Sequence, residues 1–137
     1  MESLQDSLEG LGDFAIYFGL SLILLVIFKF VYSAITPHNE FTLIKENKSI
    51  AAACAFVGAI VGFCLALGGA AANSVDFVDF GIWGVIALVA QVIAFLIVRG
   101  IMPKISARIN DDEISAGIML GGISVAVGIL NAACMTY

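Results

Sequence analysis

The stretch from Ile50 to Ala72, IAAACAFVGAIVGFCLALGGAAA, holds 23 residues without a charged side chain, and small residues recur in it at every fourth position: Cys54, Gly58, Gly62, Ala66 and Ala70. At about 1.5 Å per residue an α-helix of this length reaches about 34 Å, enough to cross a hydrocarbon core of about 30 Å. No hydrophobic force drives helices together in lipid, so they associate through close backbone contact, which a ladder of small residues permits. The stretch reads as a membrane-spanning helix with a packing face.

Three further segments have the same character: Phe14 to Ile35, Phe80 to Met102 and Ile114 to Thr136. Hydrophobic residues make up 61 % of the chain and charged residues 12 %, against about 45–50 % and about 25 % in a soluble domain, and the mean hydropathy is +1.08. In 137 residues four such spans leave no room for a soluble domain. The expected fold is one all-α, four-span transmembrane bundle embedded in the lipid bilayer, with spans at about 14–35, 50–72, 80–102 and 114–136.

The first span is rich in Leu, Ile, Val and Phe, so it is expected to face lipid, with Lys29 snorkelling to the interface and Tyr17 and Tyr32 in the aromatic belts. Residues 1–12 lack the positive charge that opens a secretory signal, so this span is expected to be retained. Leu4, Leu8 and Leu11 suit either an interfacial turn or a loose tail. Pro37 and Pro103 end the first and third spans. A short amphipathic segment is expected after Pro37, and a polar loop containing Lys104, Arg108 and Asp111 to Glu113 after Pro103. The net charge of −5 is dispersed over tails and loops and points to no nucleic-acid partner.

Residues 10–71 superpose on 76–137 without a gap. Asp13-Phe14 falls on Asp79-Phe80, Pro37 on Pro103 and Gly62 on Gly128, and the four-residue ladder continues as Ser124, Gly128, Ala132 and Thr136. The chain thus reads as a two-helix hairpin used twice in parallel orientation. The expected packing centre joins Cys54, Gly58, Gly62 and Ala66 to Ser124, Gly128 and Ala132. All six basic residues (Lys29, Lys45, Lys48, Arg99, Lys104, Arg108) lie at or in the loops after spans one and three. By the positive-inside rule those loops are cytoplasmic and both termini periplasmic.

The deep parts of the spans contain no Asp, Glu, Lys, Arg or His, which counts against a proton-coupled transporter or pump. The intramembrane polar candidates are Gln91, at the centre of the third span, Asn131, and Asn73 near the outer surface. Gln91 and Asn131 read as hydrogen-bonding glue between helices, with pore lining or ligand contact as the competing reading. Cys54, Cys64 and Cys134 are odd in number and lack metal or redox spacing. They read as small apolar fillers, and only Cys134 can meet an oxidising compartment. A single histidine, His38, gives no repeated ligand spacing, so no metal site and no cofactor are expected. No catalytic set shares a common depth, and the glycines sit in spans rather than in a phosphate-binding loop; an enzyme is not expected. His38, Asn39 and Glu40 are candidates for docking a cytoplasmic partner.

The segments YSAITPHNE (Tyr32 to Glu40), LIKENKSIAAACAF (Leu43 to Phe56), ALVAQ (Ala87 to Gln91) and GILNAACMTY (Gly128 to Tyr137) resemble the YjfL-like family of bacterial inner-membrane proteins over nearly the whole chain. The resemblance implies four helices and a bacterial inner-membrane location, and it carries no reaction or ligand. Two functional expectations follow. One is a non-enzymatic membrane module that forms a homo-oligomer and docks a cytoplasmic partner. The other is a small oligomeric channel or transporter subunit for ions or small solutes, lined by Gln91 or Asn131.

Overall fold

The computed structural model describes residues 2–35, 44 and 49–135. Among these there is no strand. The helices are α1 (Glu2–Ile35), α2 (Ile50–Asn73), α3 (Phe77–Ile101), the short α4 (Ile105–Asn110) and α5 (Ile114–Ala133). All except α4 are long and apolar enough to cross a membrane, so the protein is an all-helical, four-span bundle.

The ends of the elements follow local chemistry. Ser49 caps α2 by accepting the Ala52 N–H at 3.1 Å. Asp76 caps α3 by accepting the Asp79 N–H at 2.8 Å, while the Asp79 carboxylate accepts Val75 N–H at 2.9 Å. The pair satisfies one donor that the first turn leaves open, the Asp79 N–H, and ties down the Val75 N–H just before the cap. It starts the third span at Phe77, one turn before Phe80. At the other limit α5 stops at Ala133, and the Cys134 N–H closes the last turn on the Leu130 carbonyl at 3.0 Å.

Residues 2–13 form neither a loose tail nor a separate turn, because α1 is continuous from Glu2. Its 34 residues extend about 51 Å, well beyond the hydrocarbon thickness. Glu2, Asp6, Glu9 and Asp13 share one side of this extension and Leu4, Leu8 and Leu11 the other, as helical spacing dictates, and all are exposed.

The centre of the bundle is the pair α2 and α5. A Cβ built on Gly117 would lie 2.1 Å from the Ala51 carbonyl oxygen, and one on Gly121 would lie 2.3 Å from that of Cys54. One on Gly58 would lie 2.3 Å from Gly121 Cα, and one on Gly128 2.1 Å from the Gly62 carbonyl oxygen. Farther along, Gly69 faces Ala132. Contact positions rise together along both helices, so α2 and α5 run parallel. Steps of four residues turn about 40° too far each time. The seam therefore takes in Ala51 and Gly69, which lie off the four-step ladder, and follows a straighter face than the ladder alone would trace.

Helix α3 packs on this pair through Phe80, Gly84, Ala87, Gln91, Ala94, Phe95 and Val98, all buried. Helix α1 is the outermost and buries only Phe28 and Tyr32. Phe28 stacks on Phe63 of α2 with ring centroids 4.5 Å apart, Tyr32 meets Phe95 of α3 edge-on at 6.1 Å, and Tyr17 contacts Phe77 and Phe80 at 4.8 and 5.3 Å. Leu24 fills the notch over Gly84, where a Cβ would come within 2.6 Å of its Cδ1.

Candidate functional site

Two places in the bundle concentrate polar chemistry: the junction of α2, α3 and α5 around Gln91, and the end that carries α4.

At the junction Gln91 is fully buried, and its side-chain amide donates to the Ser124 carbonyl at 3.1 Å. Ser124, also fully buried, turns its hydroxyl back to the Leu120 carbonyl at 2.9 Å. Gly62 makes the junction fit, because a Cβ there would lie 2.2 Å from the Ser124 carbonyl oxygen and 2.9 Å from Gln91 Nε2. One glycine thus serves two purposes: it lets the α2 and α5 backbones touch, and it opens the space through which α3 reaches Ser124. Gln91 Oε1 and Asn131 Nδ2 are buried without a hydrogen-bond partner among the described residues. Asn73 does not bridge helices, since its amide donates to the Gly69 carbonyl one turn earlier in α2, at 2.8 Å.

The other packing candidates fall in place around this junction. Gly58, Gly62, Ser124 and Gly128 meet on the α2–α5 seam, Cys54 contributes its carbonyl to it, and Ala132 meets Gly69. Ala66 is buried in the core. Gly117 and Gly121 are missing from the ladder drawn on the sequence although their contacts, at 2.1 and 2.3 Å, are as close as those of Gly128 and Gly58. They stand four residues apart, so a small-xxx-small search of the fourth span by itself would have found them. Cys54, Cys64 and Cys134 are free thiols.

The loop after α3 is more ordered than a polar connection. Ile105 and Ile109, four apart on one side of α4, are buried, while Lys104 and Arg108 stay on its outer side. Arg108 makes a two-pronged ion pair with Glu113, Nε donating to Oε2 at 2.7 Å and Nη2 to Oε1. Asp112, with φ of 57°, sits in the left-handed region that Asp tolerates better than most residues. From there its carboxylate accepts the Ser49 hydroxyl at 2.9 Å and the Ala51 N–H at 3.0 Å. The second loop thereby caps the first turn of α2 from outside, where the helix dipole also favours a negative charge. The Ala51 N–H, followed by the Ser49 hydroxyl, holds the Asp112 carboxyl below its ordinary pKa. The Arg108 hydrogen bond does the same for Glu113. His38, Asn39 and Glu40 lie outside the described residues. Among the described residues no group of three His, Cys, Asp or Glu is placed to hold a metal ion.

Comparison with known proteins agrees with this architecture. A family model described as Domain of Unknown Function (DUF350) matches residues 6–135. The UPF0719 inner membrane protein YjfL of Escherichia coli, in strain K12 and in O157:H7, is 45 % identical over 130 residues, covering 95 % of this chain and 98 % of the relative. No solved structure matches. A chain matched along nearly its entire length by one family model and by YjfL belongs to the DUF350 family of membrane proteins.

Proposed function

We propose that the protein is a non-enzymatic inner-membrane module that assembles with copies of itself and presents its α4 end to a cytoplasmic partner. The observation that carries this reading is the way that end is built. Two buried isoleucines, the Arg108–Glu113 pair and the Asp112 cap on α2 hold residues 104–113 as a fixed surface, although a connection between two spans needs only to be long enough. In this reading that surface faces the cytoplasm together with His38, Asn39 and Glu40, and both termini are periplasmic, because every basic residue lies at or in the two loops on that side. A fluorescent reporter that matures only in the cytoplasm, fused after Tyr137, should stay dark, and a bright fusion would reverse the orientation. The duplicated hairpin also fits this reading: Ala51 touches Gly117 and Gly62 touches Gly128, each pair 66 residues apart, as expected if a pseudo-two-fold axis along the membrane normal runs through the seam.

A second reading, a small oligomeric channel or transporter subunit, is favoured by Gln91 Oε1 and Asn131 Nδ2, which are buried without a hydrogen-bond partner among the described residues. Such atoms are where a path for water or a small solute would draw its hydrogen bonds. Protein reconstituted in liposomes separates the readings. The module predicts vesicles that stay tight to ions and dyes for both wild type and Gln91→Leu. Flux that is present in the wild type and lost in Gln91→Leu would establish the channel and overturn the module.

A further inference from the structure

Helix α1 outreaches the rest of the bundle at one end. Tyr17 meets Phe77 and Phe80 at the start of α3, and residues 2–13 run on past that level for about 18 Å along the helix axis. The apolar side of this projection continues into the span, where Leu4, Leu8, Leu11, Ala15, Phe18 and Leu22 follow one another by alternating steps of four and three. That is a heptad repeat, with Leu8, Ala15 and Leu22 at position a and Leu4, Leu11 and Phe18 at position d. All six are exposed, Leu4, Leu8 and Leu11 by 61, 59 and 60 %. At about 100° per residue the stripe lies about 140° around the helix from Tyr17, Leu24 and Phe28, which meet α2 and α3. The protein's own bundle therefore does not cover it. Lipid covers such a face within the membrane, but Leu4, Leu8 and Leu11 stand beyond the start of α3, in water.

The placement of charge says what fits on this stripe. Glu2, Asp6, Glu9 and Asp13 occupy positions b and f, on the opposite side of the helix. Positions e and g flank the seam of a two-stranded coil and meet their counterparts across it; here they hold Gln5, Ser7, Gly12 and Phe14. An acidic helix pairs with its own copy only if its like charges stay off those flanks, and all four do. A basic partner helix would find no acid there to meet. At Gly12 and Gly19, both position e, nothing stands within 4 Å of an added Cβ, so the backbone is open to close approach. A membrane surface is a poor cover, because helices that lie on one carry Lys or Arg on the polar side, and residues 2–28 contain neither.

We propose that α1 pairs with α1 of a second copy as a parallel two-stranded coiled coil, along the stripe from Leu4 to Leu22. The pairing rests on the reading that the protein assembles with copies of itself, and it gives that assembly an interface. It is parallel because both copies cross the bilayer in the same sense.

Protein with Cys54, Cys64 and Cys134 replaced by alanine, reconstituted in liposomes and oxidised, tests the pairing. In that background Leu4→Cys, Leu8→Cys or Leu11→Cys should each form a disulfide between copies. Glu9→Cys and Asp13→Cys should not, since positions b and f of paired helices lie farther apart than the ~7 Å that a disulfide spans between Cα atoms. Adding Leu11→Glu should abolish the disulfide of Leu4→Cys with no loss of helical circular dichroism, whereas Glu9→Gln should leave it intact. Native mass spectrometry from mild detergent separates the two levels of the reading. Multiples of the chain mass with no disulfide at the leucines, or with as much at Glu9 and Asp13, would overturn the α1 pairing and leave assembly standing. A Leu4→Cys disulfide that survives Leu11→Glu would do the same, and single chains throughout would overturn both.

Discussion

The glycines of this protein fall into three groups that the same substitution should separate. At Gly117 and Gly128 an added Cβ would meet backbone atoms at 2.1 Å, and backbone cannot step aside. Alanine there should destabilise by about 1–3 kcal/mol, the range for overpacking a close-fitting contact. At Gly84 the obstacle is Leu24 Cδ1, the end of a side chain that can turn away, so alanine should cost less. At Gly19 and Gly122 nothing stands within 4 Å. Alanine at either position should be neutral or should stabilise by up to about 1 kcal/mol through helix propensity. Unfolding in mixed detergent micelles would rank the five variants, and similar losses at Gly122 and Gly128 would remove the seam as the source of stability. Gln91→Leu should change stability by only about 0.6 kcal/mol, the average for a hydrogen bond between membrane helices, because the buried Oε1 gains nothing at present.

Among the elements, α4 and the turn that follows it have the least length and the most specific chemistry. Asp112→Ala removes the acceptor for the Ser49 hydroxyl and the Ala51 N–H and also leaves a residue poorly suited to positive φ. Asp112→Asn keeps an oxygen acceptor and tolerates the same backbone conformation. Hydrogen exchange at the amides of the first turn of α2 should therefore accelerate strongly in Asp112→Ala and only slightly in Asp112→Asn. Acid should act in the same direction. The Asp112 pKa is depressed in the folded protein, so as pH falls below the ordinary carboxylate value of 3.8 the unfolded chain takes up the proton first. The contribution of the cap is complete above that value and is lost as pH drops through the depressed one. The protection of the Ala51 amide relative to its intrinsic exchange rate should fall below about pH 4 in the wild type, and an Asp112→Asn background should abolish that fall at this site. Ile109→Asp, which would place a charge on the buried side of α4, should detach the element and raise exchange across residues 105–113.

For the whole molecule the dominant interface joins the two halves of the chain rather than the helices within one hairpin. The backbones of α2 and α5 are in contact from Ala51–Gly117 to Gly69–Ala132, whereas α1 rests on its neighbours through a few aromatic contacts and Leu24. Residues 1–74 and 75–137, produced as separate chains in the same membrane, should therefore recombine and copurify. Gly62→Leu in the first half should prevent this, since its side chain would collide with both Ser124 and Gln91, while Leu24→Ala should leave it intact. Recombination unaffected by Gly62→Leu would show that another surface holds the halves together.

The four spans and the all-helical class were legible in the sequence because lipid imposes one requirement on every residue of a span, and an uncharged run of about 20 residues satisfies it without reference to any partner. The small residues at Gly58, Gly62 and Gly128 were visible for a related reason: close helix approach needs small side chains wherever it occurs. Which small residues form the seam depends on how a 3.6-residue period meets its partner along the whole contact. That brought in Ala51 and Gly69, which could be decided only with both helices in place, whereas Gly117 and Gly121 were already legible as a small-xxx-small step within the fourth span. The partner of Gln91 is a main-chain carbonyl, and every residue has one, so Ser124 could not be singled out in advance. Asp112 looked like one of three neighbouring acids on a solvated loop. Its task of capping α2 arises from a fold that brings it beside Ser49, 63 residues away in the chain, and from a left-handed backbone that turns its carboxylate toward the waiting N–H. Local composition determined what could cross the membrane, and the tertiary structure decided which backbone groups would be left for side chains to satisfy.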